Sequence, residues 1–309
     1  MSVIRARSTS LGSESPQTQT EPRTLGERSR VYASTASALR RPAGSDGAEI
    51  EPELLLLHGL GGRSDQLVGL FDSTPIPLIA PDQRAHGADR STVEPWDVTF
   101  DVLARDQLAL LDRFGIPRIA VAGVSMGAGV ALTMASLAPE RVRGLLLLRP
   151  AWLDRPWPEN LDGFRLIADV LAGEVGPEFG PDATQRLRQD LMASPRYRAI
   201  LDRSAAAAGS LSDQMLDPGV LRRRELLRAL PGSVPTWPRE RPEVPIIVVG
   251  ADADPVHPMD MAVAWATRLG ADLKTVPSRD SNPAGYQRGL VSAALGFVDQ
   301  LAALRGRSL

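Results

Sequence analysis

The 309-residue chain contains no cysteine, one lysine (Lys274) and three histidines. Without cysteine there are no disulfides, no thiolate metal sites and no cysteine nucleophile. A chain of this length builds a core that needs no covalent staples. The scarcity of lysine beside abundant arginine reads as a compositional bias, not as a phosphate-binding surface. A formal net charge of -2 gives no reason to expect nucleic acid or an anionic membrane as partner. No apolar run approaches the ~18–20 residues of a membrane span. The N-terminal stretch also lacks the continuous apolar run of a secretory signal. A cytoplasmic protein whose partner is a small molecule is therefore expected. No His/Asp/Glu cluster has metal-ligand spacing, and no dinucleotide fingerprint is followed by an acidic partner, so neither metal nor cofactor is expected.

What the chain does contain is an alternation of short apolar runs with amphipathic stretches, the pattern of a mostly parallel sheet flanked by helices. The runs are LLLL at 54–57, PLIA at 77–80, IAVAG at 119–123, VRGLLLL at 142–148, VPIIVVG at 244–250 and DLKTV at 272–276. Each is too short for a helix and apolar enough for a strand buried on both faces. RVYAST at 30–35 is expected to start the sheet. One helix is expected to carry Val102, Leu103, Leu110, Leu111 and Phe114 and to stop at Gly115 and Pro117. A closing helix is expected over 283–304, capped by Ser281 or Asn282. Residues 1–27, rich in Ser, Thr, Gln and Pro, are expected to be disordered. Residues 151–240 carry helical patterns and no strand, and are expected to form a helical cap on a core made of 28–150 and 241–309. The cap would lie over the carboxyl ends of the strands, the edge where open α/β sheets bind ligands.

Two motifs sit at such ends. In IAVAGVSMGAGVAL (119–132), Gly123-Val-Ser125-Met-Gly127 fits G-x-S-x-G between an apolar strand and a helix-compatible run. A serine on that turn needs small flanking residues because the turn is tight and strained, and the turn lifts its hydroxyl above the sheet. In LLLLHGLGG (54–62), a strand runs straight into His58-Gly59-Leu60-Gly61-Gly62. Small residues there let backbone amides approach a substrate carbonyl, and the N–H groups of Leu60 and Met126 are the expected oxyanion donors.

HGLGG, then PDQRAHG at 81–87, then GVSMG, in that order, resembles the α/β-hydrolase superfamily, and VVGADADPVHP at 248–258 strengthens the resemblance. The likeness runs over roughly residues 28–305 and implies an α/β-hydrolase fold with a variable helical cap. Carried over position by position, it implies Ser125 as nucleophile and Asp254 as the acid, with Asp252 the weaker choice. It also implies a histidine after the last strand, within or near 277–286. That stretch, VPSRDSNPAGYQRGLVSA at 276–293, has none.

Three histidines make the accounting complete. His58 and His86 sit in turns, where holding a loop by hydrogen bonds is the expected role. His257, three residues after Asp254, is open to two readings: packing at the end of its loop, or a displaced base for Ser125. In the second case Asp254 stands so close in sequence that Asp154 becomes an alternative acid. Asp280 lies where the base is missing and could act through a water, although a carboxylate is a poor base for a serine hydroxyl. Tyr286 is expected to pack on the closing helix.

Three functions follow from this site. The first is a serine hydrolase of a small ester, thioester or amide, with Trp152, Trp157 and Phe164 suggesting an apolar substrate unless they only pack the cap itself. The second is a catalytically impaired ligand-binding or regulatory protein. The third is a lyase-type enzyme on the same scaffold. The intact serine turn favours the first; the missing C-terminal histidine favours the second.

Overall fold

The computed structural model describes residues 38–40, 53–91, 93–173 and 180–305. The expected disordered segment 1–27 and the expected strand at 30–35 lie outside them. Among the described residues seven strands form one sheet: β1 (Ala38–Arg40), β2 (Leu54–Leu57), β3 (Leu78–Ala80), β4 (Ile119–Val124), β5 (Val142–Leu148), β6 (Ile246–Ala251) and β7 (Asp272–Val276), in the order β1-β3-β2-β4-β5-β6-β7. β1 runs antiparallel to β3 and all other pairings are parallel. Among the described residues the first strand is the ALR segment at 38–40.

The central runs are apolar throughout because both faces of the sheet are covered. Successive side chains point to opposite faces, so Leu55, Leu57, Leu145, Leu147 and Val248 fall in one buried cluster. Leu54, Leu56, Leu146, Leu148, Ile247 and Val249 fall in the other. β7, at the edge, is mostly exposed, ending in buried Val276.

The helices are α1 (Phe100–Arg113), α2 (Met126–Leu137), α3 (Asp162–Val170), α4 (Pro181–Ala193), α5 (Pro195–Leu201), α6 (Ala205–Asp213), α7 (Arg224–Ala229), α8 (Met259–Leu269) and α9 (Pro283–Arg305). The Thr99 hydroxyl caps α1 by accepting from the Val102 amide, and Gly115 at φ +66° turns the chain out after it. Asn282 caps α9 by accepting the Gly285 amide at 2.9 Å. Between β5 and β6 the described residues hold five α-helices and no strand. Their apolar faces, including Phe164, Ile167, Leu191, Leu211 and Leu226, join the cluster on one face of the sheet.

In a parallel sheet every carboxyl end lies at the same edge. Here that edge receives the turn after β2, Ser125 after β4, Arg149 after β5, the 252–258 loop after β6 and the 277–282 loop after β7. Residues distant in sequence meet there for this reason alone.

Candidate active site

Ser125 follows β4 and precedes α2 with φ 54° and ψ −112°, a backbone that an L residue adopts only under constraint. The glycines on either side are required by contact: a methyl on Gly123 would strike the Gly127 carbonyl, and one on Gly127 would strike the Leu57 carbonyl. The hydroxyl is nearly buried, and its oxygen lies 2.9 Å from Nε2 of His257.

His257 Nδ1 in turn lies 3.0 Å from Oδ2 of Asp254. Three residues suffice because the two oxygens of Asp254 divide the work. Oδ1 accepts the amides of Val256 (3.0 Å) and His257 (3.1 Å), folding the loop into an Asx-type turn. Ala253, at φ 52°, aims the chain into that turn. Oδ2 is left to meet the imidazole that the turn swings back. From the cap side, Asn160 donates to the Val256 carbonyl at 2.7 Å and to the Ala151 carbonyl at 3.0 Å, pinning the same loop. Proximity in sequence is therefore no bar to contact between Asp254 and His257, while Asp154 and Asp252 are both exposed.

Arg149, also in the left-handed region at φ 50°, closes the group. Its Nε reaches Asp254 Oδ2 at 2.9 Å and its Nη2 reaches the same oxygen at 2.7 Å. The same Nη2 is 2.8 Å from His257 Nδ1. Nδ1 can donate to Asp254 or accept from Arg149, but not both. The guanidinium already has a carboxylate acceptor, which is stronger than a neutral imidazole lone pair. The tautomer with Nδ1–H facing Asp254 satisfies all three groups, and it leaves the Nε2 lone pair facing Ser125.

Charge follows from this packing. Burial and then Arg149 hold the His257 pKa below the ordinary 6.5, with Asp254 pulling the other way. Burial opposes ionisation of Asp254, but His257 and Arg149 outweigh it and keep the carboxylate well below its usual range. Burial likewise opposes the charge on Arg149, and Asp254 more than offsets it. Near neutral pH the group is thus carboxylate, guanidinium and neutral imidazole.

The other two histidines hold turns. His86 takes the Gly61 amide on Nε2 at 2.9 Å and sets Nδ1 against the Arg84 carbonyl at 2.8 Å. His58 takes the Gln83 amide on Nε2 at 2.9 Å and sets Nδ1 against the Gly59 carbonyl at 2.9 Å. Both are therefore neutral, with Nδ1–H donating. Burial lowers the His58 pKa to about 4, and lowers that of His86 well below 6.5. The turn so held places Gly59 against the Ser125 Cβ and Leu60 on the wall above the serine. Among the described residues, neither the Leu60 amide nor the Met126 amide has an acceptor.

Asp280 lines a small pocket beside Arg149 and Asp254, but its hydrogen bonds go elsewhere. It accepts the Ser204 hydroxyl at 2.5 Å and the Ala206 amide at 2.7 Å, fastening the start of α6. Tyr286 packs with its ring 5.9 Å from the Arg149 guanidinium carbon. A cavity of about 450 Å³ opens above Ser125 and His257 under α6. Phe164 lines it, but Trp152 is buried in the core and Trp157 stands half exposed beside Arg165. The residues that the motifs did not single out are Arg149, Asn160 and Arg279. Their only signal was a polar side chain immediately after a strand or at the cap's first turns.

A family model described as alpha/beta hydrolase fold matches residues 52–278. The chain belongs to that family. Among curated relatives, it is 30% identical over 176 residues to the dihydrolipoyllysine-residue acetyltransferase component of the acetoin cleaving system of Pseudomonas putida, covering 54% of this chain and 46% of the relative. It is 33% identical over 134 residues to the lipase LipV of Mycobacterium tuberculosis, covering 43% of this chain and 48% of the relative. The chain thus spans about half the length of these relatives. Among solved structures, MenH from S. aureus aligns over 87% of this chain and 99% of its own, with a TM-score of 0.63 and 19% identity. A hydrolase from Pseudomonas aeruginosa PA01 aligns over 85% and 99%, with a TM-score of 0.58 and 23% identity. Those structures share the fold. No helix among the described residues is long and apolar enough to cross a membrane.

Proposed function

We propose that the protein is a serine hydrolase that cleaves a small ester, thioester or amide through an acyl-enzyme. The observation that carries this reading is the continuous relay Ser125 Oγ–His257 Nε2–Asp254 Oδ2, at 2.9 and 3.0 Å. Those separations fall in the range needed for proton transfer to a general base. Ser125 Oγ attacks the acyl carbon while His257 Nε2 takes its proton. The imidazolium formed is stabilised by Asp254, and it then protonates the departing alcohol, thiol or amine. Water, deprotonated by the same nitrogen, then attacks the acyl carbon, and the imidazolium returns the proton to Oγ as the C–Oγ bond breaks and the acid leaves. The free amides of Leu60 and Met126 receive the developing oxyanion, a contribution typically of about 10²–10³ in turnover per donor. Lipase LipV among the relatives supports the class, although that likeness covers under half of either chain.

The reading favours catalysis over a pocket that merely binds, because a strained serine and a pre-oriented base have no use in a binder. The test is turnover of 4-nitrophenyl hexanoate. Ser125→Ala should lower kcat by about 10⁴–10⁶. A folded protein whose hydrolysis is unchanged by Ser125→Ala would refute it.

A further inference from the structure

The cavity above Ser125 has a charge balance that the hydrolytic reading does not use. Five charged side chains line it: Arg63, Arg149, Arg279, Asp213 and Asp217. Both acids have an arginine partner outside its wall. Asp217 takes Arg223 Nη1 at 2.7 Å, and Asp213 lies 3.5 Å from Arg188. Arg149 is committed to Asp254. Arg63 and Arg279 remain, with no carboxylate at ion-pair distance among the described residues.

Arg279 is the better placed of the two. It is half-buried on the loop after β7, where Arg63 is exposed at the rim. Its Nη2 donates to the Ala206 carbonyl and, at 2.7 Å, to the Ser210 hydroxyl, so the guanidinium is held against α6. Nε and Nη1 have no acceptor among the described residues. The neighbouring Asp280 accepts from Ser204 and Ala206 and interacts with Arg279 by charge without an ion-pair contact. A guanidinium fixed in advance loses little rotamer freedom on binding, and its planar fork matches a carboxylate. Phe164, Leu211, Leu216 and Val256 supply apolar wall to the cavity that Arg279 and Ser125 share.

We infer that the substrate is an ester or thioester with a short apolar chain that ends in a free carboxylate, and that Arg279 binds that carboxylate. The inference rests on the hydrolytic reading for the reaction and on the cavity's charge for the substrate class. Arg279 occupies part of the loop that would otherwise carry a base, so moving the base to the preceding loop leaves this position free for recognition.

The test compares mono-4-nitrophenyl adipate with 4-nitrophenyl hexanoate, and 4-carboxyphenyl hexanoate with phenyl hexanoate, each corrected for its uncatalysed rate. The first pair puts the carboxylate on the acyl side and the second on the alcohol side. The expected result is a kcat/KM preference of about tenfold or more for the anion in one pair. Arg279→Met should bring that preference close to parity, and Arg279→Lys, which keeps the charge and packs similarly, should restore part of it. Binding of adipate to the Ser125→Ala protein, followed by calorimetry, supplies a readout independent of turnover, and it should weaken by a similar factor in Ser125→Ala/Arg279→Met. Adipate binding that depends on Arg279 in a protein that cleaves no ester would uphold the anion site and refute the hydrolase. Ester cleavage with no anion preference in either pair, or with a preference untouched by Arg279→Met, would refute the anion site and leave the hydrolase standing.

Discussion

Two loops leave the same edge of the sheet side by side, and they divide the labour differently from what the family resemblance implies. The loop after β6 holds both Asp254 and His257, joined at 3.0 Å, and delivers the imidazole to Ser125. The loop after β7, where the resemblance places the histidine, carries Arg279 and Asp280 and spends their hydrogen bonds on α6. The comparison teaches that a relay is defined by where its atoms meet and not by which strand supplies them. A carboxylate three residues from the imidazole can reach it here because one of its oxygens folds the loop and the other faces the ring.

The largest effects should come from breaking the first loop. Asp254→Asn should lower kcat by about 10⁴, because the amide offers Nδ1 a poorer partner and favours the wrong tautomer. The comparison would fail if Asp254→Asn cost no more than an equivalent change in the second loop, such as Asp280→Asn, measured with the same neutral ester.

A smaller effect separates the role of Arg149 from that of Asp254. Burial and Arg149 hold the His257 pKa below 6.5, and a base works only in its neutral form. Activity should therefore persist as pH falls through 6.5 and be lost as pH falls through the depressed value. Arg149→Met removes one of three lowering influences, burial and Arg279 being the others, so the acid limb of kcat/KM should move to higher pH. An acid limb that stays in place would show that Arg149 does not act on the imidazole.

The smallest effect belongs to the second loop. Ser204 caps α6 by accepting the Ala207 amide at 3.0 Å while donating to Asp280. Ser204→Ala should cost about 1 kcal/mol of stability, read from the urea midpoint. The loss should appear in unfolding and not in the reaction of Ser125 with an acylating probe.

Much of this was legible in the sequence. The LLLL and VRGLLLL runs announce strands buried on both faces, and the strain at GVSMG follows from glycines that have no room for a methyl. The turn-holding parts of His58 and His86 follow from their place between a strand and a glycine. The relay was harder to read. Whether His257 packs or reaches Ser125 depends on how Asp254 Oδ1 curls four residues of loop, and no periodicity encodes that. Arg149 was hidden for a related reason: an arginine after a buried strand looks like the first solvated residue until β6 sets Asp254 beside it. The two tryptophans of 151–160 suggest from the sequence either an apolar substrate or packing of the cap, and the fold buries Trp152 in the core and leaves Trp157 half exposed.

The central claim is that His257 is the base for Ser125. It is tested most directly by the rate at which a fluorophosphonate labels the protein, followed by intact mass. The account expects one label per chain, lost in Ser125→Ala, and slowed by about 10³ or more in His257→Ala with the fold intact. Labelling of Ser125 at an unchanged rate in His257→Ala would contradict it.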